Sequence, residues 1–124
     1  MLRTARRLHQ KLAAQDADKV VGVTAGSNGS YFVAREGEFH QPAFQAPVVD
    51  TTGCGDVFHG AFAYGLAKGM ALRKIAEFAS AVAALKCRKL GGRAGIPSLA
   101  ETENLRVSIL QIVLPHKTTL PVAK

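Results

Sequence analysis

Apolar residues recur at helical spacing at both ends of the chain and alternate in between. In the opening segment, MLRTARRLHQKLAAQ, Leu2, Ala5, Leu8 and Leu12 share one face of a helix. Lys19 to Thr24 is short and mostly apolar, as a strand is, and Ala25-Gly-Ser-Asn-Gly29 is a turn of residues that tolerate positive φ. Ser30 to Ala34 alternates as a second strand, and Arg35-Glu-Gly37 turns it into a third over Glu38 to Gln41. Pro42 and Pro47 bracket an extended passage that ends in a strand-like Val48-Val49.

From Asp56 the period changes. Val57, Phe58, Ala61, Phe62 and Leu66 predict a helix over 56–68, and Gly69 stops it. Ile75, Ala76, Ala79, Val82, Ala83 and Leu90 predict a second helix over about 72–89, with small residues that allow close packing on a neighbour and Gly91-Gly92 at its end. After a loop over 91–97, Ser98 is placed to cap a short helix through Leu105, with Glu101 as its capping-box partner. Val107 to Leu114 reads as either a strand or a buried helical turn, and Pro115 to Lys124 as a loose tail. Strands followed by amphipathic helices place the chain in the α/β class.

With 124 residues, 48% of them hydrophobic, the chain can build one modest core. Its apolar runs are all shorter than the ~18 residues that a membrane span requires. The acid-free, basic start also has the pattern of a mitochondrial transit peptide, but a buried strand follows at once and favours a helix packed on a sheet. No secretory h-region is present, and two cysteines, Cys54 and Cys87, fit a reducing cytoplasm better than a disulfide scaffold. A net charge of +7, with seven basic residues between Lys68 and Arg93 against Glu77 alone, favours an anionic partner: a small phosphorylated ligand or, without any accompanying motif, nucleic acid. A merely solvated surface accounts for the charge equally well.

The segment with chemical content is Asp50-Thr-Thr-Gly-Cys-Gly-Asp56, directly before an amphipathic helix. Gly53 and Gly55 let backbone approach a ligand, and the first helical amides, unpaired and at the positive end of the helix dipole, form an anion site. Asp56, in the same first turn, is favoured as a carboxylate and can accept a proton. The plain alternative is a tight turn with a capping aspartate.

The wider context, Asp50-Thr-Thr-Gly-Cys-Gly-Asp-Val-Phe-His-Gly-Ala-Phe62, resembles the second signature of PfkB/ribokinase-family carbohydrate kinases, D-T-x-G-A-G-D-x-F-x-G-A. The resemblance implies a ribokinase-like three-layer α/β/α fold of which only the carboxy-terminal portion is present, and ATP-dependent phosphorylation of a sugar hydroxyl. It makes Gly53, Cys54, Gly55 and Asp56 the anion hole, and Asp56 also the base. Cys54 stands where alanine is usual. Val23-Thr-Ala-Gly-Ser-Asn-Gly29 is similar to the family's T-x-G-x-x-G turn, which makes Thr24, Gly26 and Gly29 nucleotide-site residues. The segment from Ala79 to Pro97 is similar to the helix and loop that flank the adenine and often a monovalent cation, so Asp50 and Gly92 become ligands of a possible K+, alongside ATP and Mg2+ as cofactors.

The resemblance covers residues 1–105; residues 106–124 do not share it. The elements that it implies for sugar contacts and magnesium binding lie in an amino-terminal half outside this chain, and the chain is expected to associate with that half or with a second copy of itself. His59 reads as a surface or packing residue, and Lys86, Arg88 and Lys89 as a solvated helix end. His9, His40 and His116 lack metal spacing. Two alternatives stand beside the kinase reading: a nucleotide-binding module without catalysis of its own, and a basic nucleic-acid-binding protein.

Overall fold

The computed structural model describes residues 1–113, with side chains described through Ser108. In chain order the elements are α1 (Leu2–Ala13), β1 (Val21–Thr24), a short 3-10 turn (Gly26–Asn28), β2 (Ser30–Ala34), β3 (Gly37–Gln41), α2 (Cys54–Ala67), α3 (Leu72–Lys86) and α4 (Leu99–Val113). The strands form an antiparallel sheet in the order β1-β2-β3. Val21 faces Val33 across the first pair, and Phe32 faces Phe39 across the second.

Successive residues of a strand point to opposite faces, so β2 feeds two cores at once. Val33 packs with Val21 and Ala5, which joins α1 to one face of the sheet. Phe32, 2% exposed, packs with Phe58, Ala61, Ala76, Phe78, Ala79 and Val82 of α2 and α3 on the other face. Helices on both faces make the three layers expected from the sequence. Burying a side chain the size of Phe32 contributes ~1.5–3 kcal/mol. Gly65 lets α2 approach α3: a Cβ there would stand 3.0 Å from two Ile75 side-chain atoms. On the far side of α3, Arg106 of α4 donates from Nε to Glu77 at 2.9 Å.

Several expectations are corrected. Val48 and Val49 form no strand and are exposed; the Val49 amide instead donates to the Cys87 carbonyl at 2.8 Å. Helix α2 begins earlier, at Cys54, and its buried positions are Phe58, Ala61 and Gly65, leaving Leu66 59% exposed. Helix α3 ends at Lys86, so Leu90 falls beyond it and is exposed. Leu8 turns away from the α1 contact, which uses Leu2, Ala5 and Leu12. The Ser98 cap forms as expected, with the Ser98 amide donating to Glu101 and the Glu101 amide to Ser98 Oγ. The helix it starts runs past Leu105 to Val113, and residues 114–124, the expected tail with His116, lie outside the described residues. Cys54 and Cys87, taken from sequence as reduced thiols, lie against each other across the start of α2 and the end of α3, with Cα atoms 6.6 Å apart.

Candidate functional site

A cavity of about 420 Å³ opens between the sheet end, the start of α2 and the last turn of α3. Thr24, Gly26, Ser27 and Gly29 line one wall, Thr51, Cys54, Gly55 and Phe58 another, and Ala83, Ala84 and Cys87 a third. The two segments singled out in the sequence, separated by a hairpin and an extended passage, thus meet at one cavity. Residues Ala43 to Ala46 close its rim.

The glycines act through the backbone. Gly29 has φ +82° and ψ −141°, and a Cβ on it would land on the Gln41 carbonyl oxygen, so only glycine fits. The turn it closes is held by the Ala25 amide bonding the Gly29 carbonyl at 2.8 Å. His40 Nε2 donates to the Asn28 carbonyl at 2.6 Å while its ring stacks on Tyr31. That role for His40 is absent from the sequence reading; its alternation out of β3 toward the preceding turn is the available signal.

At the start of α2, Gly53 stands in the left-handed region, φ +74°, and packs against Gly92, whose carbonyl oxygen would be 3.6 Å from an added Cβ. The Cys54 amide bonds the Thr51 carbonyl at 3.1 Å, and the first helical bond runs from the Val57 amide to the Gly53 carbonyl at 2.9 Å. The Gly55 and Asp56 amides lie between them, in the turn where a helix has free donors. Gly55 borders the cavity; Gly53 and Asp56 do not. The Asp56 side chain is exposed in the first turn of α2, one residue after Gly55. His59, one turn on, is exposed with its ring edge-on to Phe58, as a packing residue.

Asp50 organises the turn before α2. Its Oδ1 accepts from the Thr52 amide at 2.8 Å and the Thr52 hydroxyl at 2.7 Å, and Oδ2 accepts from the Gly91 amide at 2.7 Å. The Thr52 hydroxyl, then the Thr52 and Gly91 amides, hold its pKa down to about 2. Lys86, read from sequence as part of a solvated helix end, is wholly buried and donates from Nζ to the Asp50 carbonyl at 3.3 Å; Arg88 and Lys89 are exposed as expected. The missed signal is spacing, since Lys86 follows Val82 and Ala79 on the buried stripe of α3. Among the described residues no group of three or more His, Cys, Asp or Glu is placed to hold a metal, and no helix is long and apolar enough to cross a membrane.

Residues 3–99 match the model of the pfkB family carbohydrate kinases. A ribokinase of Lactococcus lactis is 42% identical over 83 residues, which are 65% of this chain and 27% of the relative; a ribokinase of Schizosaccharomyces pombe is 37% identical over 94 residues, 75% of this chain and 30% of the relative. The crystal structure of ribokinase from Thermotoga maritima superposes with a TM-score of 0.72 at 34% identity, over 82% of this chain and 34% of that one. The structure of Arabidopsis thaliana ribokinase complexed with ribose and ATP superposes with a TM-score of 0.67 at 34% identity, over 70% of this chain and 28% of that one. The chain therefore spans about a third or less of these relatives. The ribokinase-like fold, the signature around Asp56 and the family match over most of the chain establish that it belongs to the pfkB family of carbohydrate kinases.

Proposed function

We propose that the chain is the nucleotide-binding, carboxy-terminal part of a kinase that phosphorylates a sugar or sugar-like hydroxyl with ATP. The observation that carries this reading is the single cavity shared by the Thr24–Gly29 turn and the first turn of α2. Its volume of about 420 Å³ suits part of a nucleotide, and Gly26, Gly29 and Gly55 in its walls let phosphate oxygens come close to the backbone. When bound, ATP with Mg2+ supplies the phosphoryl group and offsets its charge. The Gly55 and Asp56 amides, together with the α2 dipole, hold phosphate oxygens; the Gly26–Gly29 turn orients the nucleotide from the opposite wall. Asp56, next to Gly55 in the first turn of α2, accepts the proton of the attacking hydroxyl, and the alanines of α3 keep one wall of the site apolar. The sugar is held by elements in the part of the relatives' length that these residues do not span.

Calorimetry with ADP and magnesium, followed by a coupled assay over pentoses, hexoses and nucleosides, tests this. The 124-residue chain should bind ADP weakly and turn over none of the acceptors at a useful rate, because fixing the acceptor contributes ~7–11 kcal/mol of barrier reduction. A folded sample without affinity for ADP or ATP refutes the nucleotide site; robust turnover refutes the need for a partner half. Once that half is restored, Asp56→Asn should retain ADP binding and lower turnover by roughly two to four orders of magnitude.

A further inference from the structure

The resemblance to potassium-binding relatives assigns Asp50 and Gly92 to a monovalent cation, and the residues around Asp50 fit such an ion poorly. Of the roughly four acceptor positions on a carboxylate, three on Asp50 already take the Thr52 amide, the Thr52 hydroxyl and the Gly91 amide. The Asp50 carbonyl in turn takes Lys86 Nζ at 3.3 Å. A potassium ion on these oxygens would sit beside an ammonium that is shut away from water and its screening.

We infer that the Lys86 ammonium is the resident cation of the Asp50 turn, holding from within the chain the place that the resemblance reserves for potassium. Lys86 is the last residue of α3 and 0% exposed. The following loop folds tightly over it: a Cβ on Gly95 would overlap the Lys86 carbonyl group. Among the described residues no carboxylate lies within 4.0 Å of Nζ, so the ammonium is not half of a conventional ion pair. It is aimed at a backbone carbonyl, as a bound alkali ion would be. That carbonyl belongs to the residue that braces the loop leading into Gly53, Gly55 and Asp56, so the charge sets the geometry of the anion-binding turn without touching the nucleotide. A compact ammonium on an apolar stem suits the position, whereas a planar guanidinium does not. Lys86 is therefore a positioning residue, and the turn needs no external monovalent ion.

The test compares thermal unfolding of the 124-residue chain in potassium, ammonium and choline chlorides at matched ionic strength. Wild type should show one Tm in all three salts. Lys86→Met, which keeps the stem and drops the charge, should unfold at lower temperature in choline and recover in potassium or ammonium; Lys86→Arg should not restore wild-type behaviour. A potassium-dependent rise in the wild-type Tm, or a Lys86→Met protein equal to wild type in every salt, overturns the inference. If Lys86→Met does not fold, crystals of wild type soaked in rubidium chloride decide: an anomalous peak at the Asp50 carbonyl overturns the inference, and its absence supports it. The inference rests on the nucleotide reading only in one further measurement, ADP affinity, which should change by no more than about twofold when potassium replaces choline. A complete lack of ADP binding would sink the proposed function and leave the salt and rubidium results standing.

Discussion

Replacing Gly29 by alanine, with Gly26→Ala as its partner experiment, separates conformational from steric demand in the turn that lines the cavity. Both glycines have positive φ, +56° at Gly26 and +82° at Gly29, but an added Cβ meets nothing within 4 Å at Gly26. At Gly29 it would overlap the Gln41 carbonyl oxygen and stand 2.8 Å from the Ala43 amide nitrogen and 3.0 Å from the Pro42 carbonyl carbon. These are backbone atoms of the segment leaving β3, which cannot swing aside as a side chain can. For Gly26→Ala the left-handed conformation costs ~1–2 kcal/mol, offset by ~0.4–1 kcal/mol from a stiffer unfolded chain. For Gly29→Ala the glycine-only conformation costs ~1–3 kcal/mol and overpacking another ~1–3 kcal/mol, with the same offset. The expected gap between the two variants is about 2 kcal/mol, some thirtyfold in the unfolding equilibrium, and about 8 °C or more in Tm. Urea unfolding followed by circular dichroism measures it, and ADP titration should show Gly29→Ala as the weaker binder because its turn must shift. Equal destabilisation by the two substitutions would refute the close approach of the Gly29 turn to residues 41–43.

Two further outcomes follow from the same site. The Asp50 carboxyl is held at about 2, below its ordinary 3.8, so it stabilises the fold above pH 3.8 and loses that contribution as pH falls through about 2. Stability of wild type should thus decline more steeply than that of Asp50→Asn between these values, and parallel urea-midpoint profiles would show that Thr52 and Gly91 do not hold the ionised form. After reduction, bound ADP should slow iodoacetamide labelling of both Cys54 and Cys87, read by peptide mass spectrometry, because both border the cavity. Labelling of Cys87 at the same rate with and without saturating ADP would place the nucleotide elsewhere.

The sequence made the elements legible wherever period and turn chemistry agreed. Strand β2 matches its expected span because alternation and the flanking Gly29 and Arg35-Glu36 signals coincide. The Ser98–Glu101 cap is a local, reciprocal pair and needs no tertiary information. Val48-Val49 misled because β-branched residues suggest pairing, yet the partner they find is a single carbonyl at the end of α3. Such a contact spans nearly forty residues of sequence and has no local signature. The same holds for Asp50, whose link to Gly91 crosses 41 positions. The motif identified which residues matter at the start of α2, while their bracing by α3 and the following loop became visible only in three dimensions.

The basic charge shows the limit of composition most clearly. Of the seven basic residues between Lys68 and Arg93, Lys86 is buried under the Asp50 turn, Arg73 lies over the Phe39 ring at 4.3 Å, and Lys68 lies 5.7 Å from the Tyr64 ring centroid. Cations stacked on aromatic rings or buried against carbonyls contribute to packing, and they are not a uniform field for a polyanion. Lys74 is exposed in the first turn of α3, and Arg88, Lys89 and Arg93 are exposed after α3 on the loop that reaches Asp50 through Gly91. Three exposed charges on one short segment suit the few charges of a nucleotide better than the long phosphate backbone of a nucleic acid, whose binding draws on many such contacts at once. Neutralising all three should weaken ADP binding more at low than at high salt, since exposed charges act over about a Debye length, ~10 Å at 0.1 M. If the loss is the same at both ionic strengths, the three side chains do not act on the phosphates through space.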